Sequence, residues 1–463
     1  MNNILKIVLI FIFLSNCSFN KNSKFWTTEI ITEEKKEKII EIFKKEKALS
    51  LELNPNLEIS FYSKAVNKSF LNNYDNNNGR INYNGSLKKI SKFKFSKIKN
   101  FYQYEPEILF SNNDIIFFDN KGSILKFDEN SKLLWKKNYY SKREKKQTPI
   151  LFFAIDKNFI IVADNLSKYY ALDVNSGELM WSNNNSAPFN SQIKIHKDRF
   201  FIIDYENTLR AYSIIDGKEI WNIKTENSLI RSQKKLSMVI VNNNIYFNNS
   251  LGDISSVDIK SGELIWQTPT RSSIVFDDGF FLKTSDIVAD KNSLYFSNNR
   301  NQFFSLDINT GSLNWEQKVN SKLRPTLIDK YVFTVSIEGF LIIIEKSSGN
   351  IIRITDLFKN YAVRKTIKKC KFKELWNCKG STVPNLYLPF TSQKSKSFIE
   401  ASGFIVGKNN IYLSTGNGKL LVIDTKTGKT LSMLKIDNAK ISRPAVLNQN
   451  LFIITDNSII KLN

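Results

Sequence analysis

Histidine is almost missing from this chain: there is one in 463 residues, His196, in QIKIHKDRFF. A multi-histidine metal site is therefore excluded, and histidine acid–base chemistry would depend on one side chain at a strand end. Cysteine is nearly as scarce. Its three copies form no adjacent pair, no Cys-x-x-Cys and no Cys-x-x-Cys-His, which leaves dithiol redox chemistry and haem attachment without a motif. No acidic run points to a cation site, and the scattered Ser and Asp residues define no triad. Long hydrophobic runs are lacking too. The longest, from Ile4 to Leu14, is too short for a comfortable membrane span, and elsewhere apolar residues come in bursts such as FFIID and FLIIIE rather than helical stripes.

What is present is ample apolar material, 42% hydrophobic and 13% aromatic, enough for a large β-rich core. Lys and Arg outnumber Asp and Glu by 67 to 44, a formal charge of +23. That excess permits an anionic glycan or lipid partner, but it is scattered through loops in a chain rich in Lys, Asn and Ile, which reads as composition and solvated surface. No nucleic-acid partner is expected.

Residues 1–16 have the shape of a secretory signal, with Lys6 near the start and an apolar stretch after it. Leu14-Ser15-Asn16-Cys17 resembles a bacterial lipobox, so Cys17 is the expected lipidation site; an ordinary signal with an incidental Cys is the alternative. Asn16 departs from the small residue usual at that position. Ser18, where Asp would retain a lipoprotein in the inner membrane, implies the outer membrane, periplasmic face. The remaining Cys370 and Cys378 read as a disulfide in an oxidising compartment, with two free thiols as the alternative.

Residues 17–85 are expected to hold a tether, a short amphipathic helix at 32–53 and a polar loop at 72–85. A strand follows within 86–98. Beyond it one pattern recurs, with copies ending at Trp135, Trp181, Trp221, Trp266, Trp315, Arg353 and Ser432. The intervals are 46, 40, 45, 49, 38 and 79 residues, near the ~40–45 residues of a four-stranded propeller blade apart from the last. That last interval holds a blade plus an insertion at about 370–398.

In six of the seven copies Gly lies four residues before the terminal position, at Gly177, Gly217, Gly262, Gly311, Gly349 and Gly428, where a tight hairpin needs positive φ. Asp173, Asp258, Asp307 and Asp424 lie eight before it, placed to accept turn N–H groups. The Trp offers a flat face to a neighbouring blade. The strands after Ser432 lack a closing segment, which the 86–98 strand can supply. The expectation is an all-β, eight-bladed β-propeller over 86–463, with seven blades the alternative.

The motif in LDVNSGELMW, VDIKSGELIW and LDINTGSLNW resembles the repeat of pyrroloquinoline-quinone-type propellers, among them quinoprotein dehydrogenases and the BamB family of outer-membrane assembly lipoproteins. The dehydrogenases also use a quinone with a calcium-like ion, a catalytic Asp and commonly paired cysteines. These are missing here, so no cofactor, metal or catalytic residue is expected. Resemblance to the BamB family implies a non-catalytic scaffold whose loops bind the POTRA region of the barrel-assembly protein and other members of its complex. By that resemblance Leu229, Arg231 and Asp286 are the partner-binding candidates. A quinone-dependent or sugar-binding envelope propeller is the alternative.

Overall fold

In a computed structural model the apolar bursts become strands. The structure describes residues 51–66, 76, 79–99, 101, 105–156, 158–225, 232, 234–270, 282–359, 361 and 399–463. The Cys17 site, most of the 32–53 helix, Leu229, Arg231 and the insertion with Cys370 and Cys378 lie outside those residues. The chain divides into two units, Met1–Lys47 and Ala48–Asn463, and the described residues all belong to the second.

Among the described residues thirty-two strands assemble into eight four-stranded antiparallel sheets, an eight-bladed propeller, and the seven-blade alternative falls. The first strands of the blades are β2 (Leu109–Ser111), β6 (Leu151–Asp156), β10 (Lys194–His196), β14 (Met238–Val241), β18 (Val288–Ala289), β22 (Thr326–Ile328), β26 (Ala401–Val406) and β30 (Ala445–Leu447). Contacts of β2 with β6, β6 with β10, β10 with β14 and β14 with β18 put these strands around the axis. Second and third strands such as β7 (Phe159–Asp164) and β8 (Lys168–Asp173) are buried on both faces, as sheets stacked blade on blade require. Fourth strands such as β9 (Leu179–Asn184) face solvent at alternate residues. A five-residue helix, α1 (Lys142–Lys146), interrupts the strands between blades, started by a capping box between Ser141 and Glu144.

The eighth blade is made from both ends of this unit. Strand β1 (Lys89–Lys94) pairs antiparallel with β32 (Ser458–Leu462), in the order β1-β32-β31-β30, with β31 at Asn450–Ile454. Pairing the two removes the open edge that β32 would otherwise present.

The recurrent turn has one geometry throughout. Asp173 Oδ1 accepts the N–H of Asn175 at 3.0 Å and of Ser176 at 2.7 Å, and Asp258 and Asp307 repeat the arrangement. In three of the five Trp copies the Nε1 donates to the next blade: Trp181 to Ile214 O at 2.8 Å, Trp266 to Ile308 O at 3.3 Å and Trp315 to Lys346 O at 2.8 Å. In the sixth blade Arg353 stands where the first five have Trp. It is fully buried and donates to the carbonyls of Lys426 and Leu57, the latter at 2.8 Å.

Leu57 belongs to a segment laid over the sixth and seventh blades. Leu53 bridges Ile354, Ile59 N–H donates to Lys426 O at 3.1 Å, and the backbone N–H groups of Tyr62 and Ser63 donate to Asp329. Of the expected 32–53 helix only residues 51–53 are described; they are not helical, and Leu53 lies in a backbone bridge. Within the expected 72–85 loop, Arg80 and Ile81 bridge Val406 and Val66.

Candidate functional site

The loops that lead into the axial strands carry charge where propeller strands carry Val and Ile. Residues 105–107, Glu-Pro-Glu, precede β2; Lys234 and Lys235 precede β14; Asp286 precedes β18; Arg324 and Pro325 precede β22; Lys440 to Pro444 precede β30. Because the ring brings its first strands together, these side chains meet at one end of the axis. They line a cavity of about 60 Å3.

Arg324 is the hub. Its side chain is 3% exposed; Nε donates to Asp286 Oδ2 at 2.7 Å and Nη2 to Glu107 Oε1 at 2.8 Å. Lys235 Nζ lies 3.4 Å from the other Glu107 oxygen, and Lys234 Nζ lies 3.8 Å from Asp286 while donating to Thr284 O and Lys322 O. Nearer solvent, Lys440 Nζ donates to Glu105 Oε1 at 3.0 Å, and Glu105 holds φ 43°, a left-handed conformation unusual for a long side chain. Arg443 Nε donates to Phe404 O at 2.8 Å.

Deeper still, Asn76 comes from the segment ahead of β1 and is fully buried. Its Nδ2 donates to Gln192 Oε1, Met238 O and Ile287 O, and its Oδ1 accepts from Lys194 Nζ at 2.6 Å.

Burial works to raise the carboxyl of Asp286, but Arg324 and Lys234 outweigh it and hold the group well below the usual carboxylate range. Glu107 is lowered in the same contest by Lys235 and Arg324, and Glu105 by Lys440 and Lys234. For the cations the directions diverge. Burial lowers Lys234 despite Asp286, whereas in Arg324 the attraction of Asp286 and Glu107 overcomes burial and raises it. Arg443 is pushed down to about 9 by burial and then by repulsion from Arg324.

Of the partner-binding candidates only Asp286 is described. It is 9% exposed and its carboxylate is paired with Arg324 and Lys234. Lys234, three residues beyond Arg231 in sequence, is the described residue that lies 3.8 Å from Asp286. His196 ends β10 and lines a separate cavity of about 240 Å3 with Arg199 and Asp258.

A quinone with calcium does not fit the axial residues. The cavity is small, its three carboxylates are each held by Lys or Arg, and among the described residues no group of three His, Cys, Asp or Glu could hold a metal.

Glu105, Glu107, Lys234, Lys235, Arg324, Lys440 and Arg443 are not apparent from the repeat motif, which marks the outer turn of each blade. A second signal marks the inner side: Pro106, Pro149, Pro325 and Pro444 each stand within three residues of a blade's first strand. Proline is tolerated there because the ladder has not yet begun.

Against curated proteins no relative matches. Among solved structures, BamB from Moraxella catarrhalis is similar at 14% identity and a TM-score of 0.60, over 81% of this chain and 99% of that one. A computationally designed protein, Ika8, is similar at 12% identity and a TM-score of 0.56, over 82% and 99%. Both likenesses speak to the fold. A family model described as outer membrane protein assembly factor BamB matches residues 120–355, slightly over half of the chain, and with the eight repeated blades that fill and extend beyond that span, the chain belongs to the BamB family of propellers.

Proposed function

We propose that this protein is a non-catalytic scaffold lipoprotein, anchored through Cys17 to the periplasmic face of the outer membrane. It assists the insertion of β-barrel proteins by binding the POTRA region of the barrel-assembly protein. The observation that carries the reading is the family match over residues 120–355. The axial chemistry is consistent with it: the carboxylates are locked in ion pairs, which suits a rigid docking surface better than proton transfer.

On this reading Leu229 and Arg231 contact the partner, an apolar and guanidinium pair of the kind that dominates interfaces. Asp286 supports that contact indirectly, through its ion pairs with Arg324 and Lys234. Affinity purification of the detergent-solubilised protein is expected to recover the barrel-assembly protein, and Arg231→Glu to reduce that recovery. Undiminished recovery from a Leu229 and Arg231 double variant would remove the proposed contact. Cys17→Ala is expected to shift the protein from the membrane to the soluble fraction.

A further inference from the structure

Asn76 stands across the ring from the described residues that flank it. Val66 and Ile81 bridge each other, Arg80 bridges Val406, and the Ile81 N–H donates to Val406 O at 2.8 Å, all beside β26 of the seventh blade. Asn76 instead bonds the starts of the third, fourth and fifth blades, through Gln192 and Lys194, Ser237 and Met238, and Ile287.

The groups that receive it are chemically selective. Around Asn76 Nδ2 stand four acceptors: Gln192 Oε1 at 3.1 Å, Ser237 Oγ at 3.3 Å, and the carbonyls of Met238 and Ile287, each at 3.0 Å. Facing Oδ1 is a donor, Lys194 Nζ at 2.6 Å. A carbonyl only accepts and an ammonium only donates, so the amide can sit one way round. A carboxylate would set an oxygen against two carbonyls, a hydroxyl brings one proton to four acceptors, and an ammonium would face Lys194 with like charge. A primary carboxamide matches both sides.

The framework of the site also holds together without Asn76. Gln192 is 4% exposed, and its Oε1 accepts the Met238 N–H at 3.2 Å while its Nε2 has no hydrogen-bond partner. A buried N–H without an acceptor is unfavourable, so this orientation persists because the oxygen is engaged on the other side. Ser237 Oγ accepts the Ile287 N–H at 3.0 Å, which joins the fourth blade to the fifth at the same point.

We propose that these groups form a primary-carboxamide site at the axis, with Asn76 as its resident ligand, a latch that fastens the segment ahead of β1 across the ring. The site goes beyond the scaffold reading and stands or falls independently of it, since it needs only residues of this chain.

Asn76 holds φ 54°, a left-handed conformation that Gly also accepts, so Asn76→Gly removes the carboxamide without straining the backbone. The full-length protein in detergent is followed by hydrogen–deuterium exchange. The Ile81 and Asn82 amides, bonded to Val406 O and Val66 O, are expected to exchange at least tenfold faster in the variant, with the amides of β8 unchanged. Acetamide carries the missing group. It is expected to slow that exchange back toward the wild-type rate and to raise the variant's thermal midpoint saturably, because a ligand of the folded state stabilises it. Acetate at equal ionic strength should do neither, and acetamide should leave wild type unchanged.

Wild-type exchange rates in Asn76→Gly overturn the latch. A variant that acetamide leaves unchanged, or that acetate protects equally, overturns the carboxamide site. Asn76→Asp keeps the shape and decides the matter where Asn76→Gly does not fold: its second oxygen meets Met238 O and Ile287 O, so it too is expected to lose the protection at Ile81 and Asn82, and protection equal to wild type overturns the proposal.

Discussion

Gly262 meets two requirements at once. Its φ of 79° lies in the left-handed region, and a Cβ built there would come within 2.6 Å of the Trp221 ring of the preceding blade. Gly177, Gly217, Gly311 and Gly349 repeat the pairing with Trp135, Trp181, Trp266 and Trp315, so the same atom that would strain the turn would also push the blades apart. Gly262→Ala is accordingly expected to cost about 1–3 kcal/mol from the backbone alone, and more from the displaced ring. Gly416→Ala, where a Cβ meets nothing closer than 3.6 Å and φ is not positive, should stay within about 0.5 kcal/mol of wild type; urea unfolding of both variants checks the contrast.

At the axis the decisive residue is Asp286, whose pairing with Arg324 is buried. Asp286→Asn is expected to destabilise by about 3–5 kcal/mol at pH 7, because Arg324 and Lys234 lose their counter-charge. The folded carboxyl sits below its unfolded value of about 3.9. Its contribution is therefore fully present above that value and is lost as pH falls through the folded one. Asp164 works in the opposite sense. Burial raises it to about 6 even with Tyr140 Oη donating to it, so protonation between about 6 and 4 favours the folded state. The difference between wild type and Asp286→Asn isolates the first effect: it should hold constant from pH 7 to 5 and shrink below about 4, measured by denaturant midpoints across pH.

Among the elements, the sixth blade departs most from the pattern. Trp at position 353 would donate one N–H to the next blade, whereas Arg353 reaches the seventh blade at Lys426 and Thr425 and also Leu57 of the segment ahead of β1. The substitution thus converts a contact between two blades into one that also ties down residues 53–59. Burial lowers the Arg353 guanidinium to about 10, so the charge itself opposes folding. Arg353→Met is expected to leave the global unfolding midpoint nearly unchanged, since the relieved burial of charge offsets the lost hydrogen bonds. The local effect should win at the strap: exchange of the Leu53 and Ile59 amides, now bonded to Ile354 O and Lys426 O, should speed at least tenfold by hydrogen–deuterium exchange. Those elements also mark what could be read in advance. The Gly and Trp spacing specifies hairpins and blade contacts because both depend on residues a few positions apart. The axial network joins Glu107 to Arg324 across 217 positions, and no local pattern ties such residues together until the ring is closed. The ion pairs of Asp286 were hidden for the same reason.

On the scale of the whole molecule, everything depends on one seam. A ring of eight sheets stays closed only while the first and last blades remain packed, and here the eighth is held from both sides by β1. Phe93 of that strand is fully buried, with its ring 5.7 Å from Phe127 of the first blade and 6.3 Å from Phe452 of the eighth. Its backbone pairs with Ile459 of β32. Truncating it removes the aromatic wedge from the seam and loosens the strand that covers the β32 edge. Phe93→Ala should therefore cost about 3–5 kcal/mol, at the level of a core phenylalanine. Ile90, in the same strand but 51% exposed, should tolerate the change with little effect. The more telling readout is association. If β1 frays, the outer edge of Ser458–Leu462, SIIKL, is left unpaired and can pair with a second copy. Light scattering during mild denaturation should then find dimers or larger species for Phe93→Ala below its unfolding midpoint and none for Ile90→Ala. Equal stability and a purely monomeric Phe93→Ala would mean that the ring is held shut by blade packing elsewhere, with β1 no more than a cover for its last strand.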